Sequence, residues 1–328
     1  MKRIAINGMG RIGRAALKVI LDAPKLELVA VNDVVSIENI AYLIKYDSVY
    51  GIYEKEVSHD ENNLIIDGKK IQFNSIRNPE ELPWKENNIE VVIESTGFFT
   101  SREDAEKHIK AGAKTVIISA PTKSEDVPTV VHGVNSKDGK TSVFSCASCT
   151  TNNISPVVEV LGRRIGIEKA IMTTVHAYTA SQGVVDSPSE KNFRMGRAGA
   201  ANIIPTSTGA AIATTKALPE YAGKFDGVAL RVPIPVGSIS DLTFVTERPV
   251  TVEEVNAIFE EESKTSRYTN ILTTTTEPIV SSDIVKSPFA STVDLSMTRV
   301  VDGDLLKVMT WYDNEWGFTN QMIRQILE

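Results

Sequence analysis

Two side chains stand out for the chemistry they could do. Cys149 lies in the run Ser145-Cys146-Ala147-Ser148-Cys149-Thr150-Thr151-Asn152, after the apolar pair Val143 and Phe144 and before a stretch with Ile154, Val157, Val158, Val160 and Leu161 at helix-like spacing. A thiol at a helix N-terminus feels the positive end of the macrodipole, which favours its thiolate. The flanking hydroxyls and amide argue for a polar turn there and not for an inert core thiol. Pro156 falls inside the expected helix and predicts a kink or a later start. His176 ends the apolar run 171–175, and a histidine at a strand end is placed to face a cleft. Together they read as a covalent nucleophile and the general base that serves it. His59 and His108 sit in polar surroundings and read as solvated, and His132 lies in a loop with no evident acid–base partner.

A second constellation binds rather than reacts. Gly8-Met9-Gly10-Arg11-Ile12-Gly13 follows a short apolar strand and opens a helix. Glycines at this spacing allow a tight turn, close approach of a pyrophosphate and close helix packing, with the phosphates on free amides. Asp33, 20 residues after Gly13, ends the next strand. A carboxylate there accepts from a ribose 2′-hydroxyl and repels a 2′-phosphate, which favours NAD over NADP.

These residues need a scaffold. Strands are expected at 3–7, 26–31, 91–94, 115–119 and 142–145, with helices at 11–23 and 102–111 between them, an alternation that predicts a doubly wound parallel sheet covered on both faces. The second half changes character. Strand-like runs at 170–178, 227–232, 241–246, 295–301 and 305–312, with helices at 208–218 and 252–264, predict an α+β unit on a mixed, mostly antiparallel sheet. The chain is thus an α/β protein of two domains: a dinucleotide-binding domain at 1–148, with a C-terminal helix at 315–328 packing back on it, and a catalytic domain at 149–314. The nucleophile is expected near their seam, where ligand clefts tend to lie.

Composition narrows the function classes. The net charge is −7 with lysines and arginines scattered, which argues against a nucleic-acid surface. No apolar run is long enough for a membrane span. Two cysteines among 328 residues form no disulfide scaffold, so a reduced, cytoplasmic setting is expected.

Nearly end to end, the chain resembles phosphorylating glyceraldehyde-3-phosphate dehydrogenases. The likeness is carried by Asn7-Gly8-Met9-Gly10-Arg11-Ile12-Gly13-Arg14, Glu94-Ser95-Thr96-Gly97, Ala147-Ser148-Cys149-Thr150-Thr151-Asn152, Asn202-Ile203-Ile204-Pro205, Thr208-Gly209-Ala210-Ala211, Arg231-Val232-Pro233 and Trp311-Tyr312-Asp313-Asn314-Glu315-Trp316-Gly317. The resemblance implies attack of Cys149 on glyceraldehyde 3-phosphate, oxidation to a thioester with His176 as base, and release of an acyl phosphate by inorganic phosphate. It implies Thr179, Ser181 and Arg231 at the substrate phosphate, and Ser148, Thr150, Thr208 and Gly209 at the attacking phosphate. For the cofactor it implies Arg11 and Ile12 at the pyrophosphate, Arg77 and Ser119 near the adenosine, and Asn314 at the nicotinamide carboxamide. It also implies a homotetramer, and it calls for no metal. A sibling enzyme acting on erythrose 4-phosphate, or an NADP-accepting variant, would use the same residues. Cys146 departs from the family pattern, which usually has asparagine there; with Cys149 it makes a CxxC pair, most simply read as a small buried thiol.

Overall fold

The first strand, Lys2–Asn7, is buried from Ile4 onward and sits mid-sheet. It delivers the chain to the glycine turn, after which Arg11–Leu21 forms a helix whose Ala15, Ala16, Leu17 and Ile20 face the core. This is the βαβ unit the spacing predicts. Around it an eight-stranded sheet runs in the order Val143–Ser145, Thr115–Ile118, Val91–Glu94, Lys2–Asn7, Leu26–Asn32, Lys69–Asn74, Asn63–Ile66, Val57–His59. The structure, a computed structural model, describes residues 1–136, 141–190 and 192–327.

The first six strands in that order are parallel, but the last two pair antiparallel. Sequence periodicity missed this antiparallel edge. Its strands are short, one alternating buried Leu64 and Ile66 with half-buried neighbours and the other mostly exposed, so they lack the continuous apolar run of a doubly covered strand.

A second sheet has the order Ile204–Ser207, Phe225–Val232, Ile167–Ala177, Ser238–Thr246, Leu305–Tyr312, Ser291–Asp294, Leu272–Thr275, with Arg299–Val301 on Leu305–Tyr312. Two of its pairings are parallel and the rest antiparallel, as the alternating β-branched runs predict. One expectation fails here. The run 295–301 is not a single strand: Asp294 accepts from the Ser296 amide at 3.2 Å and bends Leu295–Met297 into a 3-10 turn.

Among the described residues the chain forms two compact units. One comprises Met1–Val130, the strand Val143–Ser145 running on to Ala147, and residues 322–327; the other comprises Val131–Ser136 and Ser148–Gln321. Each has its own core. Trp84, Val92, Val116 and Val143 lie in the first. Val157, Leu161, Leu242, Phe244, Phe259 and Val308 lie in the second. No helix among the described residues is long and apolar enough to cross a membrane.

Candidate active site

Cys149 is the first residue of the helix Cys149–Ile165. Ser148 caps it, its Oγ accepting from the Thr151 amide at 3.0 Å. Pro156 neither delays nor ends this helix; the helix runs through it, and Ser155 Oγ bonds the Thr151 carbonyl at 2.7 Å. Gly166, at φ 77°, stops it by a conformation open to glycine, its N–H bonding the Leu161 and Gly162 carbonyls. The position of Cys149 is therefore set by a capped start and a defined end.

His176 lies on the long central strand Ile167–Ala177, in register with Arg231 on the parallel strand beside it. Its Nε2 is 3.3 Å from Cys149 Sγ. Its Nδ1 lies 2.6 Å from the Ala177 carbonyl oxygen and 2.5 Å from Arg231 Nη1, and that same Nη1 donates to the Ala177 carbonyl at 3.2 Å. Arginine only donates, so Nη1 asks Nδ1 to accept while the carbonyl asks it to donate; Nε2 can take the thiol proton in the tautomer whose ring proton is on Nδ1. Tyr312 completes the setting. Its ring meets the imidazole edge-on at 5.9 Å, and its hydroxyl bonds Thr150 Oγ1 at 2.9 Å and Thr174 Oγ1 at 2.8 Å.

Electrostatics modify the expectation of a resting thiolate. Burial pushes the Cys149 thiol up, outweighing the Arg231 charge and the hydrogen bonds from Thr150 that pull it down. Burial, with Arg231 alongside, pushes His176 down to about 3. Both shifts disfavour the charged forms of the pair. Cys146 is 1 % exposed, bonded from Sγ to the Ile118 carbonyl and likewise pushed up by burial, which makes it an inert thiol.

The residues expected at the two phosphates differ in availability. Arg231 is half-buried, and its Nε has no hydrogen-bond partner, an unused donor of the kind an anion would take. Thr179 Oγ1 and Ser181 Oγ pair at 2.9 Å in a polar turn. Thr208 Oγ1 accepts from Ala210, and Gly209 caps the helix Ala210–Ala217 with its surface exposed. The Thr150 hydroxyl, by contrast, is buried and committed to Tyr312, and that of Ser148 to the helix cap.

The first unit holds an open cleft of about 840 Å³, lined among others by Gly8, Gly10, Asp33, Arg77, Thr96 and Phe98. Gly8 has φ +97°, and a Cβ there would lie 2.7 Å from the Thr96 amide nitrogen, so only glycine fits. A Cβ on Gly10 would meet nothing, and the helix that Gly10 begins has no side-chain cap. The start of that helix is therefore open beside Gly10, as close approach of a pyrophosphate requires. Asp33 accepts from the Met9 amide at 2.7 Å and the Val35 amide at 3.0 Å, which leaves each carboxylate oxygen a further lone pair for a ribose hydroxyl. These features suit a dinucleotide.

Arg11, Ile12 and Gly13 form the first turn of that helix. The Arg11 guanidinium is turned to Asp47 at 2.7 Å. Ser119 is half-buried at the end of Thr115–Ile118, its N–H on the Glu94 carbonyl. Asn314, in the second unit, is 6 % exposed and fixed through Oδ1 by the Gly237 amide and Ser238 Oγ.

His108 corrects the sequence reading: it is fully buried and bonded to Trp84 and Glu94. It follows Ala105 at i+3 and shares its inward face. That spacing was the available signal, masked by the charged residues around it. Tyr312 and Thr174 were missed as site residues too, although Thr174 lies two positions before His176 on the same strand face.

A cysteine–histidine pair in one unit and a glycine-turn cleft suited to a dinucleotide in another point to the class: a dinucleotide-dependent oxidoreductase. Comparison with known proteins makes this particular. The family model "Glyceraldehyde 3-phosphate dehydrogenase, NAD binding domain" matches residues 2–102, and "Glyceraldehyde 3-phosphate dehydrogenase, C-terminal domain" matches residues 148–314. Glyceraldehyde-3-phosphate dehydrogenase 2 of Streptomyces avermitilis is 48% identical over 325 residues, covering 98% of this chain and 96% of that protein. The glyceraldehyde-3-phosphate dehydrogenases of Thermotoga maritima and Geobacillus stearothermophilus are 49% and 48% identical, each over 98% of this chain and over 97% and 96% of their own. The chain belongs to the glyceraldehyde-3-phosphate dehydrogenase family.

Proposed function

We propose that this enzyme oxidises D-glyceraldehyde 3-phosphate to 1,3-bisphosphoglycerate, with NAD as acceptor and inorganic phosphate as co-substrate, in glycolysis or gluconeogenesis. The observation that carries the reading is the 3.3 Å approach of Cys149 Sγ to His176 Nε2 at a helix N-terminus. Sγ attacks the aldehyde carbon as Nε2 takes the thiol proton, giving a hemithioacetal. The resulting imidazolium would donate from Nδ1 to the Ala177 carbonyl, while the Arg231 guanidinium beside it disfavours the charge and keeps it transient. Bound NAD supplies the two-electron acceptor for oxidation to the thioester. Cys149 then holds an acyl group that phosphate displaces as the acyl phosphate, with the thiolate as leaving group.

Arg231 is assigned to the substrate phosphate with Thr179 and Ser181, its free Nε being the supporting feature. Ser148, Thr208 and Gly209 are assigned to the attacking phosphate, with Thr150 contributing its backbone amide because its hydroxyl is engaged. Gly8, Gly10, Arg11, Ile12 and Gly13 would hold the pyrophosphate through backbone. Asp33 would hold the adenosine ribose, Arg77 and Ser119 would lie near the adenosine, and Asn314 would hold the carboxamide. Asp33 in the cleft supports NAD over NADP. The domain assignment of 1–148 and 149–314, a cytoplasmic setting and a homotetramer belong to the same proposal. The exposed Val184, Val185, Phe193 and Ile203 of the second unit supply apolar area for subunit contacts.

A spectrophotometric assay with glyceraldehyde 3-phosphate tests this directly. Turnover should require phosphate, favour NAD over NADP and vanish on alkylation of Cys149. Faster turnover of erythrose 4-phosphate, or activity that survives alkylation, would refute it.

A further inference from the structure

A file of polar side chains crosses the interior of the first unit and ends on the walls of the cleft. Trp84 Nε1 donates to His108 Nδ1 at 3.0 Å. An indole N–H can only donate, so Nδ1 must accept, and the ring proton sits on Nε2. That proton points at Glu94 Oε2, 3.1 Å away. Asn7 Nδ2 donates to the same oxygen at 2.6 Å, and Asn32 Nδ2 donates to Asn7 Oδ1 at 2.7 Å. The other carboxylate oxygen, Oε1, accepts from the Thr96 amide at 2.8 Å and from the Thr96 hydroxyl. Glu94 thus receives four hydrogen bonds, the full capacity of its lone pairs.

Thr96 is half-buried and the rest is buried: Trp84 and His108 at 0 % exposure, Glu94 and Asn7 at 1 %, Asn32 at 4 %. Its outer members, Asn7, Asn32 and Thr96, line the cleft. Thr96 is also the residue against which Gly8 closes, and its hydroxyl accepts from the Phe98 amide. An apolar filling of this core would avoid burying a carboxylate, so stability alone gives no reason for the chain. Its direction, from the core outward to three cleft walls, does.

We propose that Trp84, His108 and Glu94 are positioning residues for the dinucleotide, with His108 acting through Glu94 to hold Asn7 and Thr96 in the geometry that binds it. The proposal rests on the dinucleotide reading of the cleft. Leucine at position 108 would leave Oε2 one donor short and Trp84 without an acceptor, and Glu94 would settle away from its present place. The turn of 94–98 and the Asn7 amide would move with it. His176 and Cys149 take no part.

The test is calorimetric titration of NAD into the full chain, beside thermal unfolding and steady-state kinetics. His108→Leu should raise the Kd of NAD by about tenfold, with KM for NAD rising in step and kcat at saturating NAD changed less than about threefold. His108→Gln, whose amide can donate to Glu94, should recover much of the affinity. Leu64→Ala, a cavity in the same unit away from the cleft, serves as a control that lowers Tm without weakening NAD. NAD binding by His108→Leu equal to that of the wild type, or weakened no more than by Leu64→Ala at the same loss of Tm, would overturn the proposal. If His108→Leu does not fold, Glu94→Gln carries the same expectation and the same refutation. Absence of NAD binding by the wild type would refute the dinucleotide reading, and the relay with it. Binding by the wild type and unimpaired binding by the variants would refute the relay alone.

Discussion

Removing the Tyr312 hydroxyl separates what that side chain does for stability from what it does for the thiol–imidazole pair. The ring is 2 % exposed, and its O–H bonds Thr150 at 2.9 Å and Thr174 at 2.8 Å. Burial pushes the phenol up, so it remains a neutral O–H at every working pH. Tyr312→Phe deletes two hydrogen bonds, each worth about 1 kcal/mol net. Thr174 keeps contacts at 3.5 Å with the Ile239 carbonyl and Ser240 Oγ, and Thr150 loses Tyr312 but keeps the hydrogen bond its side chain makes to Cys149. The expected loss is about 1–2 kcal/mol, or about 2–4 °C in Tm for each kcal/mol in a unit of this size. The ring edge that meets His176 survives in phenylalanine, so alkylation of Cys149 by iodoacetamide should slow by less than about threefold. Tyr312→Ala removes the ring as well; it should cost about 3–5 kcal/mol, with alkylation slowed by at least about tenfold as the imidazole loses its wall. Thermal unfolding and the second-order alkylation rate, measured on both variants, check this. If Tyr312→Phe slows alkylation as much as Tyr312→Ala, the hydroxyl handles a proton and the assignment of a purely structural role is wrong.

Other outcomes follow from the same geometry. His176 is held near 3 against an ordinary value of 6.5, so below the latter the unfolded chain binds a proton that the folded chain refuses. Stability should therefore fall as pH drops from 6.5 toward 3, by at most about 1.4 kcal/mol per pH unit from this group; urea titrations should show His176→Asn lacking that component, and an unchanged slope would contradict a buried neutral imidazole. Gly8→Ala forces a methyl to 2.7 Å from the Thr96 nitrogen at φ +97°. It should destabilise the first unit by more than about 2 kcal/mol and weaken NAD by more than about tenfold, as read by denaturation and calorimetry. Asp33→Ser removes the carboxylate from the cleft and should raise the NADP-to-NAD ratio of kcat/KM by at least about tenfold; an unmoved ratio would show that discrimination lies elsewhere.

The glycine turn, Asp33 and the helix that begins at Cys149 were legible in the chain because their signals are local. A cap, a turn and a strand end are each set by a few neighbouring residues. The antiparallel edge and the broken run at 295–301 were less legible, since strands of three or four residues and a side-chain-capped turn leave little periodicity.

What the sequence determined unaided was the inventory: a thiol at a helix start, a histidine at a strand end, three glycines and an acid at cofactor spacing, and the resemblance those segments carry. Tertiary structure decided which of them meet and how deeply each is buried. Sequence places Cys149 and His176 27 positions apart, and only the packing of the helix Cys149–Ile165 against the sheet brings the pair to 3.3 Å, with Arg231 and Tyr312 beside it. Packing within the first unit likewise buries His108 against Glu94, and burial in the second pushes the Cys149 thiol up. Desolvation is a property of everything packed around a group, and no stretch of neighbouring residues encodes it.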